Sequence, residues 1–376
     1  MASRPDYPQT QASKHRGVAL ITVLMVVAIA VSVSTLMLVR QQRAISRTAS
    51  LLEGEQSLQY NLAAEDFSME ILAEDARSDA NSGHGAVDSN FEMWATQWPP
   101  FPIDGGVVRA RITDEQGLFN LNNLINSNGQ PDTEEVSLLQ NILNANQIPP
   151  GLVQAILDWI DPDNDPSGPM GAESDWYMRL EHPYRAANTG MAAVSELRLI
   201  RGMTEAYYQK LKPLMTVLPQ GTLININTIR PQLLAAMIPG LSVAQAQTLI
   251  AAGAPNGYER TDSFMTQPAI AALPQQQLDA LSAVLTVNSS YFRVSSEVDK
   301  DQHLTVLRSI IRRRSATDLQ VCYREQVLPQ LSQAAAETGT DNAAMLSSIA
   351  TMSNSMNSMK ENALNAHVFS SGNSQP

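Results

Sequence analysis

The segment KHRGVALITVLMVVAIAVSVSTLMLVR, residues 14–40, determines how the rest of this chain can be organised. Residues 18–39 form a run of 22 uncharged residues that ends at Arg40. At about 1.5 Å per residue, such a run spans ~33 Å as a helix, which is enough to cross the hydrocarbon core of a bilayer. A cleaved secretory signal fits poorly, because its apolar region is about 7–15 residues long and no A-x-A site follows this run. The run therefore predicts one membrane-spanning helix. Arginines on both sides leave its orientation undecided.

Composition places the remainder of the chain among folded proteins and excludes several functions. Of the 376 residues, 44% are hydrophobic and 16% are charged. The net charge of −12 disfavours binding to nucleic acid or to anionic lipid. The sequence lacks the GxSxG, P-loop, HExxH and GxGxxG motifs and its five histidines are scattered, so it indicates no enzyme. The single cysteine, Cys322, is expected to be a small buried residue.

The helix is predicted to continue well beyond the apolar run. Between Arg40 and Arg77 the sequence contains no proline and a single glycine, Gly54. Apolar residues recur there at spacings that place them on one helical face: Leu51, Leu58, Leu62, Met69 and Leu72. This pattern predicts one long helix that is embedded in the membrane at its start and packed on a soluble domain at its end. An ordinary anchor followed by a stalk is the alternative.

The soluble part is predicted to combine a sheet with a helical insertion. Residues 107–112, 291–298 and 303–311 are rich in β-branched residues or alternate in hydrophobicity, so they predict strands. Residues 117–286, which lie between them, are mostly helical in pattern. The predicted fold class is α+β: a long N-terminal helix packed on a small antiparallel sheet, with a large all-α domain inserted into the sheet region. The expected boundaries are 79–118 and 287–325 for the sheet-containing body, 119–286 for the insertion and 326–376 for a low-complexity tail.

An acidic loop is the first candidate site in the predicted insertion. Residues 151–177, GLVQAILDWIDPDNDPSGPMGAESDWY, contain six acids. Asp161, Asp163 and Asp165 alternate in a stretch rich in proline and glycine, which is not helical. Clustered carboxylates repel one another unless a cation offsets them. Calcium suits such a cluster, because it takes about 6–8 oxygen ligands in flexible geometry.

Calcium binding here would not follow the EF-hand pattern. Pro166 stands where an EF-hand loop needs glycine, and Glu173 falls one position beyond the bidentate acid of that loop. Zinc is disfavoured, because the loop contains neither histidine nor cysteine. The alternative is a solvated acidic turn, with Asp158 on a helix surface.

Two apolar-Gly-apolar hairpins form a second candidate. They lie at residues 199–203 and 238–241, and residues 224–228 precede the second one. Such hairpins occur in DNA-binding domains, where glycine lets backbone amides approach phosphate. Few lysines or arginines surround the second hairpin, although phosphate binding requires them. The hairpins are therefore interpreted as packing turns between helices. A membrane-anchored helix-hairpin-helix DNA receptor is kept as an alternative.

The junction between the basic leader and the apolar run resembles a type IV prepilin leader. The sequence Lys14-His15-Arg16-Gly17 followed by Val18 and the apolar run carries this resemblance. It implies that a prepilin peptidase cleaves between Gly17 and Val18 and that the new terminus is methylated. It also places the leader in the cytoplasm and the body in the periplasm. The implied segments are residues 1–17 as leader, 18–39 as transmembrane helix and 40–78 as the periplasmic part of the same helix.

One position departs from the usual pilin pattern. Most pilins carry a glutamate at the fifth mature residue, whereas this chain has Thr22. A carboxylate in an apolar filament core is costly unless it is paired, and in pilins the terminal amine of the adjacent subunit is its partner. A subunit at the filament tip has no neighbour above it and gains nothing from the acid.

Loss of that glutamate is characteristic of the general secretion pathway protein K family, the minor pseudopilins of type II secretion systems. The large insertion and the WIDPDNDP…GAESDWY stretch also resemble this family. The resemblance implies a calcium-binding helical domain, and we hypothesise a set of ligands completed by backbone carbonyls. These ligands are Asp161, Asp163, Asp165, Glu173 and Asp175.

The resemblance also implies location, partners and role. The chain is expected in the Gram-negative inner membrane with its body in the periplasm, and then at the tip of the periplasmic pseudopilus. Expected partners are the I, J and H minor pseudopilins, the major pseudopilin, the prepilin peptidase, and the secreted substrate or the secretin, with no nucleic acid. The expected role is to prime pseudopilus assembly and to limit pseudopilus length. An unrelated anchored calcium-binding periplasmic protein is a further alternative.

Overall fold

The computed structural model of the chain describes residues 15–82, 85–301 and 303–327. The chain divides into two compact units, residues 1–59 and 60–376. Most of the predicted leader, residues 1–14, lies outside the described residues, and so does the predicted tail from residue 328 onward.

The first helix, α1, comprises His15–Ser82. In the first unit the side chains of residues 20–39 are exposed, including those of Leu20, Ile29 and Leu36. Among the described helices it is the one long and apolar enough to cross a membrane, a statement that rests on length and composition alone. Leu51 is also exposed, so the prediction that it lies on a packed face is wrong.

The described residues beyond α1 form nine further α-helices and nine strands. The helices are α2 (Thr133–Ala145), α3 (Leu152–Ile160), α4 (Ser174–Tyr177), α5 (Glu205–Leu211), α6 (Pro231–Met237), α7 (Val243–Ala251), α8 (Thr261–Met265), α9 (Pro268–Ala271) and α10 (Gln275–Val284). The strands are β1 (Phe101–Ile103), β2 (Gly106–Asp114), β3 (Phe119–Asn120), β4 (Met215–Thr216), β5 (Ile224–Asn225), β6 (Leu285–Thr286), β7 (Tyr291–Lys300), β8 (His303–Ser315) and β9 (Asp318–Val327). Short 3-10 helices lie at Met93–Ala95, Leu121–Leu124 and Val194–Leu199.

The main sheet is antiparallel and has the strand order β1-β2-β7-β8-β9. The predicted strands correspond to β2, β7 and β8. Strands β1 and β9, at the two edges, extend the sheet beyond the prediction. Cys322 lies on the edge strand β9 and is exposed, so the expectation that it is buried is wrong.

The packed face of α1 in the second unit combines polar and apolar side chains. Its buried members are Asn61, Ala64, Glu65, Ser68, Leu72 and Ala73. The Asn61 side chain accepts a hydrogen bond from Ser296 Oγ at 2.8 Å. Arg324 donates to both carboxylate oxygens of Glu65, at 2.6 and 3.0 Å. Because these polar groups are paired with the sheet, the helix buries them without leaving a charge uncompensated.

The helical insertion leaves the main sheet after β2 and returns to it at β7. Its core contains many buried apolar side chains, among them Phe119, Leu139, Ile156, Tyr177 and Phe264. Two short parallel pairings, β3 with β4 and β5 with β6, join its segments. This architecture confirms the predicted α+β fold class with a helical insertion.

A half-buried aspartate joins the insertion to the sheet. Asp114, the last residue of β2, accepts hydrogen bonds from Ser289 Oγ and Thr228 Oγ1, both at 2.5 Å. It also accepts from Asn225 Nδ2 at 3.2 Å and from the backbone amide of Gln116 at 2.8 Å. Burial raises the pKa of Asp114 to about 7. Four donors therefore hold the carboxylate at the point where the insertion begins and ends.

The two apolar-Gly-apolar hairpins are turns between elements of the insertion. Gly202 and Gly240 adopt positive φ angles of 82° and 87°, which glycine reaches without the steric cost that other residues meet. Ile200 and Ile238 beside them are buried in the insertion core. Both hairpins therefore contribute apolar side chains to packing.

Candidate cation site

The C-terminal end of α3 provides the first acids of the site. This helix is buried on all sides apart from Gln154, which is half-buried. Asp158, in its last turn, is therefore buried with its apolar neighbours. Asp161 ends the helix: its amide donates to Leu157 O at 2.9 Å, and the backbone then turns to an extended conformation. Residues 158 and 161 are one helical turn apart, so their side chains lie on the same side of α3.

The loop after α3 brings a third acid back to this helix end. Glu173 precedes α4 and is buried, with 4% of its surface exposed. Asp158, Asp161 and Glu173 each place a carboxylate oxygen within 4.8 Å of the others. These three residues are called the acid cluster below.

Most oxygens of the acid cluster lack hydrogen-bond donors. Asp158 Oδ1 accepts from the amide of Ser167 at 2.8 Å. Within the described part of the chain, no donor reaches the buried atoms Asp158 Oδ2, Asp161 Oδ1, Glu173 Oε1 or Glu173 Oε2. A buried, unpaired carboxylate oxygen is costly, so the cluster needs either protons or a cation.

The electrostatics of the acid cluster agree with that need. Burial, and then the charges of Asp163 and Asp158, raise the pKa of Asp161 to about 7. Burial, and then the charges of Asp158, Asp161 and Asp163, raise the pKa of Glu173 to about 7. These carboxyls therefore retain protons near neutral pH unless another positive charge replaces them.

The remaining predicted ligands lie around the acid cluster. Asp163 is exposed, and its charge contributes to the raised pKa values of Asp161 and Glu173. Asp165 is exposed, and its amide donates to Asp163 Oδ1 at 2.8 Å. Asp175 is exposed in the first turn of α4. The structure thus brings together two of the five predicted ligands, Asp161 and Glu173, in the buried group.

Asp158 is the acid that sequence reasoning left out of the ligand set. The alternative that places Asp158 on a helix surface is wrong, because its side chain is fully buried. The signal was present in the sequence: Asp158 interrupts the otherwise apolar run AILDWI, and a helix that is apolar all round is a buried helix.

Two further residues shape the site. Asn188 donates to the carbonyl of Asp163, while its own Oδ1 is buried and finds no donor among the described residues. A Cβ atom at Gly171 would lie 2.3 Å from Asp158 Oδ2, so the loop passes too close to the cluster for any side chain there. The loop conformation and the acid cluster therefore depend on each other.

The donor set fits a hard divalent cation. All of its atoms are oxygens, three of its acids are buried, and the described ion pairs include none to these acids. Calcium takes carboxylate and neutral oxygens in irregular geometry, whereas zinc prefers histidine and cysteine. The residues present therefore fit calcium, which would supply the positive charge that lets Asp161 and Glu173 ionise.

The predicted processing positions lie in α1. Gly17 and Val18 fall in its first turn, within the described backbone. Thr22 is exposed in the first unit. Their predicted roles depend on a peptidase and on neighbouring subunits.

Two segments of the chain match models of the same protein family. Residues 117–220 and 224–288 each match a family model described as type II secretion system (T2SS), protein K. Both matches fall within the helical insertion and the short strands that join its segments.

Individual relatives and a solved structure support the same family as these models. The chain is 35% identical over 315 residues to type II secretion system protein K of Pseudomonas aeruginosa, covering 83% of this chain and 92% of that protein. It is 33% identical over 319 residues to the Klebsiella pneumoniae protein K, covering 81% and 94% respectively. It also resembles a chain in the crystal structure of the GspK–GspI–GspJ complex from enterotoxigenic Escherichia coli, with a TM-score of 0.66 and 27% identity. That match covers 75% of this chain and 100% of the other.

Proposed function

The chain belongs to the protein K family of type II secretion systems, and we propose that it forms the tip of the periplasmic pseudopilus. Members are minor pseudopilins, which are structural proteins and not enzymes. The observation that carries the proposal is the helical insertion between β2 and β7. A subunit with an insertion of this size would clash with its neighbours if it were repeated along a filament, so it is confined to one end. There it primes assembly and limits pseudopilus length.

Other observations support the same role. The apolar first part of α1 is consistent with anchoring in the inner membrane before assembly and with a place in the filament core afterwards. Thr22 lacks the carboxylate that would pair with a subunit above it. The Escherichia coli relative was solved as a complex with GspI and GspJ, which supports assembly of this chain with the I and J minor pseudopilins. By extension, we include the H minor pseudopilin, the major pseudopilin, and contact with the secreted substrate or the secretin.

Labelling of isolated pseudopili tests the tip position. With a gold label on the protein, we expect electron microscopy to show label at one end of each filament and none along the shaft. Label on the major pseudopilin, which should decorate the whole shaft, is the matched control. Regular label from this chain along the shaft would rule out the tip assignment.

The acid cluster is proposed to hold calcium. Asp158, Asp161 and Glu173 would supply buried carboxylate oxygens, and Asn188 Oδ1 a neutral one. Asp163, Asp165 and Asp175, which lie outside the buried group, stay in the proposed set as acids at its rim. When bound, the ion would hold the acidic loop against the end of α3 and so stabilise the insertion.

Calcium affinity is expected to weaken as the pH falls. A carboxyl must lose its proton to bind the ion, and Asp161 and Glu173 each have a pKa raised to about 7. Between pH 8 and pH 6, competition from these two protons should weaken the apparent affinity by about 10- to 100-fold. Isothermal titration calorimetry at several pH values measures this change, and buffers of different ionisation enthalpy count the protons released. An affinity that is constant over this range would contradict the proposed ligands.

A further inference from the structure

A groove on the inserted domain lies between α2 and α10. One cavity in it, of about 680 Å³, is lined by residues from the start of α2, the end of α10 and the loop at 220–223. A second cavity, of about 320 Å³, shares Glu134, Gln276 and Ala280 with the first and continues along the same two helices. Together they form one groove, which we call the α2–α10 groove.

The first cavity of this groove is acidic. Four acids line it, Asp132, Glu134, Glu135 and Asp279, and the described residues around it include no lysine, arginine or histidine. Its remaining walls include apolar side chains such as Leu223, Ala280 and Val284. The cavity therefore combines negative charge with an apolar lining.

Glu135 is the buried acid of the groove. Only 6% of its surface is exposed, and it takes part in none of the described ion pairs. Its Oε1 accepts a hydrogen bond from Asn123 Nδ2 at 3.0 Å, while its Oε2 is buried and meets no donor in the part of the chain that is described. Burial, and then the charges of Asp132 and Glu134, raise the pKa of Glu135 to about 7.

The neighbouring amide does not satisfy the second oxygen of Glu135. Asn123 Nδ2 is shared between Glu135 Oε1 and the carbonyl of Thr222, at 3.0 and 2.9 Å. Asn123 Oδ1 already accepts from Asn120 Nδ2 and from the amide of Gly221, both at 2.9 Å. Glu135 is thus held rigidly from one side, and its unpaired oxygen belongs to a groove-lining side chain.

The spacing of the acids favours an organic cation over a metal ion. Among the described residues, no three of these four acids bring carboxylate oxygens within 4.8 Å of one another, as the acid cluster does. A guanidinium group spreads five N–H donors over a planar fork and reaches acceptors that are farther apart. Its aliphatic stem packs on apolar surface while the charged end meets the acids.

We propose that the α2–α10 groove binds an arginine side chain of a protein partner, with the guanidinium group donating to Glu135. The groove continues past Glu134 into the second cavity, which leaves room for the partner's polypeptide on one side of its arginine. This room favours a protein segment over a free small cation. The proposal concerns binding at the inserted domain and does not depend on the tip position or on calcium.

Titration of the full chain in detergent micelles with capped arginine tests the chemistry. At pH 8, with calcium at saturation, N-acetylarginine amide is added while the methyl signals of Ile125 and Val284 are followed by NMR, since both residues line the first cavity. We expect saturable shifts of these signals. The isosteric neutral probe N-acetylcitrulline amide should bind at least tenfold more weakly. Equal shifts with both probes would overturn the proposal, and this comparison needs no variant.

Variants and further probes locate the site and its occupant. Glu135→Gln should weaken arginine binding at least tenfold, whereas Glu259→Gln, at an exposed acid of the same domain, should leave it unchanged. A capped pentapeptide with central arginine should bind more tightly than capped arginine alone. Equal binding by both would overturn the assignment to a protein segment. Saturable displacement of arginine by magnesium would instead identify a metal site and overturn the proposal.

Discussion

Replacement of Gly17 by valine is expected to leave the leader attached to the chain and to stop secretion. The resemblance to prepilin leaders places the scissile bond between Gly17 and Val18, and a branched side chain there would crowd the bond that the peptidase must reach. Membrane insertion should persist, because the apolar run of residues 18–39 is unchanged. Intact-mass measurement of the purified protein should show residues 1–17 retained and no methyl group on Val18.

The matched control changes the mature helix and leaves the junction intact. Thr22→Glu should be processed and methylated normally, with a milder effect on secretion, since it restores the residue that most pilins carry at this position. Normal secretion from a Gly17→Val protein that retains its leader would contradict the proposed pathway. Cleavage at another bond would give a mature terminus other than Val18 and would contradict the predicted cleavage site.

Removal of calcium is expected to cause a large loss of thermal stability at pH 7.5. At a free calcium concentration about 100-fold above Kd, binding stabilises the folded state by about 2.7 kcal/mol. For a domain of this size that corresponds to a fall in Tm of about 5–10 °C when a chelator removes the ion. Differential scanning calorimetry of the protein with calcium and with chelator measures this difference.

The sign of the pH dependence gives an internal control for this experiment. Asp161 and Glu173 have folded-state pKa values raised to about 7, above their ordinary values of 3.8 and 4.5. The calcium-free folded state therefore binds more protons than the unfolded state, and its stability falls as the pH rises through this interval. The effect of the chelator should accordingly be large at pH 7.5 and small at pH 5.

Variants connect the thermal effect to the acid cluster. Asp158→Asn and Glu173→Gln should each reduce the shift in Tm caused by the chelator, because each removes a buried charge that the ion would offset. Glu181→Gln changes an exposed acid nearby and should retain the full response. If the chelator leaves Tm unchanged at pH 7.5 in the unaltered protein, the calcium proposal fails.

Strands of the main sheet were predicted where hydrophobicity alternates along the sequence and missed where it does not. Strands β2, β7 and β8 carry β-branched residues at alternating positions. Strand β1 has only three residues, and β9 is polar over its second half, so neither produces a clear period-two pattern. The packed face of α1 was predicted only for its apolar part: Leu72 is buried and Met69 packs against the same core, but the polar members were missed. Helical periodicity detects apolar stripes, whereas Asn61 and Glu65 are buried through hydrogen bonds to particular side chains of the sheet.

The members of the acid cluster could be predicted only in part from the sequence. Clustered acids in a loop rich in proline and glycine identified Asp161 and Glu173, because charge density can be counted along a sequence. The distinction between Glu173, which is buried, and Asp175, which is exposed, depends on how the loop returns to α3. That return path is set by tertiary packing, including the close approach of Gly171 to Asp158.

The position of the insertion also determines the order in which the protein can fold. Asp114 pairs with Phe292 across the β2–β7 ladder, so the central contact of the sheet joins residues 178 positions apart in the chain (292 − 114). Closing a flexible loop of that length costs about 3 kcal/mol more entropy than closing a four-residue hairpin. A previously folded insertion removes most of that difference, because it already holds the two chain ends together. The sheet should therefore form late, on a nucleus provided by the inserted domain. Early refolding signals should come from that domain and later ones from the sheet.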